Sequence, residues 1–342
     1  MKLGIWLPIF GGWLRNRPEE GMSSDFNYSR QVAQKADRLG FSTILVAELN
    51  LNDIKGAGEP VLEAWTTISA LAAVTDNIRL MAAIRPGYRL PAIVAKMAAN
   101  IDQISGGRFE INLVSAWWRR EMEMYTGSWL DHSSRYSRSS EFIQILQGMW
   151  KNGPEGFSLS GDYYQVNEAI LSPKPVQVPG IPIFAGGESD AGRNMIAQYC
   201  DSYLMHGDEP DHIARNIADM NERRAKFGDK PLSYGMAAYM ICRETEEEAE
   251  RERKSITDVD QSPEARHSYQ DFIQQSQLKT KISIEDYSVS NRGLRPGLVG
   301  TPEQIIERIK IYESLGLDTL LIQASPMLEE LDRIGTAIIP HV

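Results

Sequence analysis

GGRFEINLVSAWWRREMEMYTGSWLDHSSRY, residues 106–136, decides how the chain is read. Phe109 to Val114 suits a buried strand, and the character changes within two residues. Ser115, Ala116, Trp117, Trp118, Arg119, Arg120 and Glu121 crowd small, aromatic and charged groups at its carboxyl end. Asp131, His132 and Ser133 punctuate the chain, and the spacing predicts that the next helix starts only there. Chemistry gathered at the carboxyl end of a buried strand is the habit of α/β folds.

Outward from that stretch the same alternation repeats. Strands are expected at 2–10, 42–47, 78–84, 181–185, 202–205, 232–242 and 319–323, separated by segments with helical spacing. The helix before the opening stretch begins at Pro91 and stops before Gly106. Residues 156–166 read as a small hairpin outside the repeat. These strands are apolar on both faces, the mark of a parallel sheet covered by helices. Eight βα units predict an α/β fold closed as a (β/α)8 TIM barrel, one domain over residues 1–342 with insertions after strands four and seven. An open doubly wound sheet is the alternative, because no local signal encodes closure. Residues 254–296 are polar and read as a mobile lid.

Composition narrows the function. A formal net charge of −10 lacks the basic excess that nucleic acid binding requires. Cys200 and Cys242 lie far apart without metal-ligand spacing, so neither a metal site nor a disulfide is indicated, and a reducing cytoplasm fits. No 18-residue apolar run suggests a membrane span. A homodimer or homotetramer is the default expectation for assembly.

Site residues are expected just after the strands: Phe10, Glu48, Arg85, Ser115 to Trp118, Gly186 to Ser189, His206, and Ser325 to Met327. In IPIFAGGES, residues 181–189, two glycines between a buried strand and a helix either uncover backbone N–H groups for a phosphate or merely make a tight turn capped by Ser189. Tyr136 either joins that phosphate or packs. Asn112 is a poor strand former, so it bonds a neighbouring strand or faces a ligand. Trp117 and Trp118 are expected to point in different directions, one of them available to a flat ligand. His206 either touches substrate or caps the helix near Asp211.

INLVSAWWRRE, LDHSSRYSRSSEFIQIL, FAGGESDAG and LVGTPEQIIERIKIYESLGLDTLLI together resemble the bacterial luciferase-like flavin monooxygenases, most of all the alkanesulfonate and dimethylsulfone monooxygenases. The resemblance covers nearly the whole chain. It implies reduced FMN from a separate NAD(P)H-dependent flavin reductase, with O2 as oxidant and a small organosulfur substrate. By matching motif, Asn112 and Ser115 would line the flavin ring, and Tyr136, Gly187 and Ser189, with Gly186 and Glu188 in the same turn, would hold its phosphate. Trp117, His206, Tyr239 and the lid's Arg292 and Arg295 are the implied catalytic candidates. Phe10, Val61, Ala237, Tyr239, Ser325 and Met327 stand where the sulfonate enzymes carry polar groups. The pocket is therefore expected to be apolar and to favour a neutral sulfone, with only Arg292, Arg295 and Arg85 left to pair an anion. A deazaflavin-dependent oxidoreductase, a luciferase-like enzyme for another small organic molecule, and a non-catalytic flavin-binding barrel are the alternatives.

Overall fold

The TILV of Thr43–Val46 and the TLLIQ of Thr319–Gln323 bury every residue, as strands covered on both faces must. The computed structural model describes residues 1–115, 117–228, 230–258, 269, 282–289 and 292–342. In chain order the strands are β1 (Lys2–Trp6), β2 (Thr43–Val46), β3 (Arg79–Ile84), β4 (Phe109–Leu113), β5 (Phe157–Ser160), β6 (Gln165–Ala169), β7 (Ile183–Ala185), β8 (Ser202–Met205), β9 (Ser233–Tyr239), β10 (Ile241–Cys242), β11 (Val299–Gly300) and β12 (Thr319–Gln323). β1, β2, β3, β4, β7, β8, β9 and β12 pair in parallel and close β12 against β1, so the fold is the expected (β/α)8 barrel. Six strands each send one residue into a separate interior cluster: Trp6, Leu45, Met81, Phe184, Leu204 and Leu321. Gly4 makes room for them, since a Cβ there would lie 2.9 Å from the Leu321 side chain and 2.5 Å from that of Thr43.

The helices are α1 (Phe26–Arg38), α2 (Ala64–Ala72), α3 (Pro91–Ser105), α4 (Arg119–Thr126), α5 (His132–Lys151), α6 (Asp190–Tyr199), α7 (Pro210–Arg224), α8 (Glu246–Thr257), α9 (Ile284–Ser288), α10 (Pro302–Ser314) and α11 (Met327–Ala337). Capping follows the sequence: Asp131 accepts from the Ser134 N–H at 3.0 Å to start α5. The hairpin after strand four forms as β5 and β6. Among the described residues no helix is long and apolar enough to cross a membrane.

Three expectations are corrected. Helix α4 precedes the Asp131 punctuation. No side chain caps its start at Trp118, but Glu121 inside it is fully buried and ion-paired to Arg85, a tertiary hold that local sequence does not show. The first strand ends at Trp6, not Phe10. The segment 232–242 is not one strand: Met240 donates to Gln323 at 2.9 Å and Ile241 to Leu298 at 2.9 Å, so β10 leaves the barrel to pair with β11. Both ends of the expected lid are more buried than its polarity suggested. Ile256, Tyr287, Val289 and Arg292 are buried, and Asn16 on the β1 loop donates to the Ile256 carbonyl at 2.8 Å while the Arg15 N–H donates to that of Ser288 at 3.0 Å. The lid expectation for 259–268, 270–281 and 290–291 lies outside the described residues.

Candidate active site

The carboxyl ends of the barrel strands surround a cavity of about 750 Å³. Asn112, Ser115, Trp117, Tyr136, Gly186, Gly187, Glu188, Ser189 and His206, scattered over 95 positions of sequence, all line it. Tyr239, Arg292 and Arg295 do not. Phe10 and Ala237 are in the lining, whereas Val61, Ser325 and Met327 are not. Arg15, Arg85, Arg119, Arg120 and Arg135 also reach the lining, so more charged groups than the sequence reading expected stand in a pocket whose lining is still mostly apolar.

One end of the cavity is built around the amino terminus of α6. Ser189 is its cap and accepts from the Gly192 N–H at 3.2 Å, which leaves its hydroxyl proton available to a ligand. Tyr136 leans on this turn: a Cβ at Gly187 would lie 3.2 Å from the Tyr136 hydroxyl, and one at Gly192 3.1 Å from it. Tyr203 donates to the Gly187 carbonyl at 3.0 Å and fixes the orientation of that peptide. Small residues are required here by close approach, and the result is a helix start facing a phenol and a hydroxyl. The cap reading of the glycine turn is thus observed, and Gly186, Gly187 and Ser189 still face the cavity.

At the strand-four side, Asn112 is buried and its Oδ1 has no partner, a cost that a ligand N–H would remove. Ser115 shares a hydrogen bond of 2.9 Å with Ser139 on α5. Trp117 and Trp118 do not point apart. Their rings stack with centroids 5.7 Å apart and planes within 9°, because the two residues sit in an irregular turn rather than a strand. Trp6 and Phe10 meet Trp13 edge-on at 5.9 and 6.2 Å and form an aromatic corner. His206 does not cap α7, whose cap position is Glu209.

The Luciferase-like monooxygenase family matches residues 1–319. The chain belongs to that family. It is 34% identical over its full length to proteins named FMNH(2)-dependent dimethylsulfone monooxygenase from Pseudomonas putida and Pseudomonas fluorescens (strain Pf0-1), covering 95% and 94% of them. Among solved structures, the long-chain alkane monooxygenase LadA superposes with a TM-score of 0.84 at 18% identity, with 99% of this chain and 90% of that one covered. DmoA from Hyphomicrobium sulfonivorans gives 0.80 at 16% identity, with 99% and 87% covered, and these two show the shared fold.

Charges in this luciferase-like monooxygenase are mostly matched inside the protein. Arg15 pairs with Asp53 at 2.8 Å, Arg119 with Glu123 at 2.8 Å, and Arg85 with Glu121. Glu48 pairs with Arg89, yet burial outweighs that contact and pushes its pKa up. His206 is exposed where it opens on the cavity. Desolvation and the Arg292 charge both pull its pKa down, so the ring is neutral at pH 7. Arg292 is buried and paired with Glu188 and, at 3.4 Å, with Asp208. Arg295 pairs with Asp286 at 2.6 Å. Sequence reasoning missed Trp6, Trp13, Arg15 and Arg135 as lining residues, and gave Arg119 and Arg120 only as part of the charged cluster after strand four. The N-terminal GIWLPIFGGWLR carried a signal, in that two tryptophans and an arginine crowd the end of a strand.

Proposed function

We propose that this protein is a two-component monooxygenase that binds reduced FMN and uses O2 to oxygenate a small neutral sulfone, breaking a C–S bond. The observation that carries the reading is one cavity that joins a phosphate seat to a buried, unpartnered amide. The α6 amino terminus, Ser189 and Tyr136 suit a phosphate, because helix N–H groups and hydroxyl donors favour an anion there. The orphaned Asn112 Oδ1 suits an N–H of a flavin ring, so the residues fit FMN. The cofactor supplies the two electrons that O2 activation requires, delivered by a separate NAD(P)H-dependent flavin reductase. The relatives named for dimethylsulfone support the substrate class.

The chain's own residues do the rest. Tyr136, Gly187 and Ser189 hold the phosphate and so fix where the ring lies. Trp6, Phe10 and Trp13 fill one wall with apolar surface and limit water at the reacting centre. Neutral His206 has one ring nitrogen able to accept a proton and one able to donate it. Trp117, stacked on Trp118 and 42% exposed, stands where a ligand enters. Tyr239, Arg292 and Arg295 act at most through these residues. Two buried free thiols, Cys200 and Cys242, suit a cytoplasmic setting.

The test is product analysis with reductase, NADH, FMN, O2 and dimethyl sulfone. Oxygen inserted beside sulfur releases an aldehyde and a sulfinate, one of each per sulfone and O2 consumed, the second oxygen atom leaving as water. Reduced flavin consumed without sulfinate, across a panel of sulfones, would refute the reading.

A further inference from the structure

Arg85 follows β3, is 1% exposed and lines the cavity. Its Nη1 is committed to Glu121, its guanidinium lies 4.7 Å from the Tyr88 ring centre, and its backbone N–H donates to Glu48. Its Nε and Nη2 are buried and have no partner. Buried N–H groups are normally satisfied, so two orphaned ones on a cavity wall imply an acceptor that arrives with a ligand. The charge on Arg85 is already answered: Glu121, fully buried, pairs with it, and Glu48 lies within range of its field. What remains is a pair of strong donors with no positive charge to spare.

Building on the proposed sulfone chemistry, we propose that Arg85 is the specificity-determining residue that receives a sulfonyl oxygen of the neutral substrate through its free Nε and Nη2 hydrogens. A sulfone presents two electron-rich oxygens and no net charge, and so matches donors whose charge is cancelled. A sulfonate brings a full anion to a guanidinium that Glu121 already neutralises, and its burial there is poorly compensated. A sulfide of the same shape offers no oxygen and leaves both donors orphaned. The pocket thus selects on oxygen acceptors rather than on charge or size.

The experiment measures binding under anaerobic conditions with reduced FMN bound, so that nothing turns over, using dimethyl sulfone and dimethyl sulfide as probes. Arg85→Lys keeps a cation for Glu121 and removes the spare fork. Arg85→Met/Glu121→Gln removes the ion pair as a unit, and covers the case where the lysine variant does not fold. Both variants are expected to bind reduced FMN within threefold of wild type and the sulfide unchanged, while sulfone affinity falls at least tenfold, about 1.4 kcal/mol. With O2 and reductase, KM for the sulfone rises in step. Unchanged sulfone affinity overturns the assignment, and so does a parallel loss of FMN affinity, which would give the donors to the flavin. A wild type that oxygenates the sulfone while the variants keep their discrimination sinks Arg85 alone. A wild type that neither binds nor oxygenates the sulfone sinks both proposals.

Discussion

Replacing Arg292 by methionine should weaken FMN binding although Arg292 does not line the cavity. Its guanidinium is 2% exposed and joins Glu188, in the phosphate turn, to Asp208. Without it, two carboxylates stay behind, one of them on the turn that receives the phosphate. Two unit charges about 8 Å apart interact by about 2 kcal/mol at an effective dielectric near 20, and a phosphate carries nearly two charges. The Glu188 side chain is 18% exposed, so water reduces this, and a ten- to hundredfold loss of affinity is expected. Removing one partner of a buried pair also costs about 3 to 5 kcal/mol of stability. Fluorescence titration with FMN and urea denaturation would measure the two effects separately. Adding Glu188→Gln should restore most of the flavin affinity, because it removes the unpaired charge. If Arg292→Met binds FMN as wild type does, or if Glu188→Gln rescues nothing, the neutralising role is wrong. Loss of turnover with intact FMN affinity would instead place Arg292 on the substrate.

Two further outcomes are expected. Gly187→Ala should weaken FMN about tenfold while sparing riboflavin, which lacks the phosphate, because its Cβ would press to 3.2 Å on the Tyr136 hydroxyl; equal losses for both ligands in a dialysis assay would contradict the seat. Asp37 accepts from the backbone N–H groups of Asp76, Asn77 and Ile78, which hold its pKa below the ordinary carboxylate value, so its contribution is present above that value and lost as pH falls through the depressed one. Asp37→Asn should therefore destabilise the protein to urea at pH 7 and progressively less as pH falls below the ordinary carboxylate value, and a deficit independent of pH would reject the linkage.

The barrel was legible because parallel strands buried on both faces leave an unbroken apolar signal, and eight of them recur with helices between. The capped glycine turn ahead of α6 was legible for a related reason: Gly186, Gly187 and Ser189 are local, and the constraint that selects them acts within one turn. What failed was non-local. Arg15 reaches the cavity because Asp53, 38 positions away, pairs with it. Helix α4 is held by Glu121 pairing with Arg85 and accepting the Leu51 N–H at 3.2 Å. Neither contact leaves a periodicity. The stacked pair Trp117–Trp118 was misread because alternation was assumed where the chain is irregular. One local signal was overlooked, namely Gly127, which ends α4 with φ +69 in the left-handed region.

The mostly apolar lining expected from sequence and the arginines the structure adds to it bear on the same question of substrate charge. Positive charge in the lining is not uniformly available. Arg15, Arg85 and Arg119 each have a carboxylate at ion-pair distance, so to an incoming molecule they present donors and aromatic-facing surfaces rather than net charge. Arg120 and Arg135 have no such carboxylate among the described residues; Arg120 is exposed, while Arg135 is buried, lies over the Trp129 ring at 4.2 Å and donates to the Leu130 carbonyl at 2.8 Å. The lining cations are therefore paired with a carboxylate, exposed to solvent or packed on an aromatic ring. On the proposed reading, paired cations offer an anionic substrate little reward. On the same reading, a neutral molecule with strong oxygen acceptors would lose little on leaving water and would meet donors already waiting, so a wall carrying paired arginines would favour an uncharged substrate.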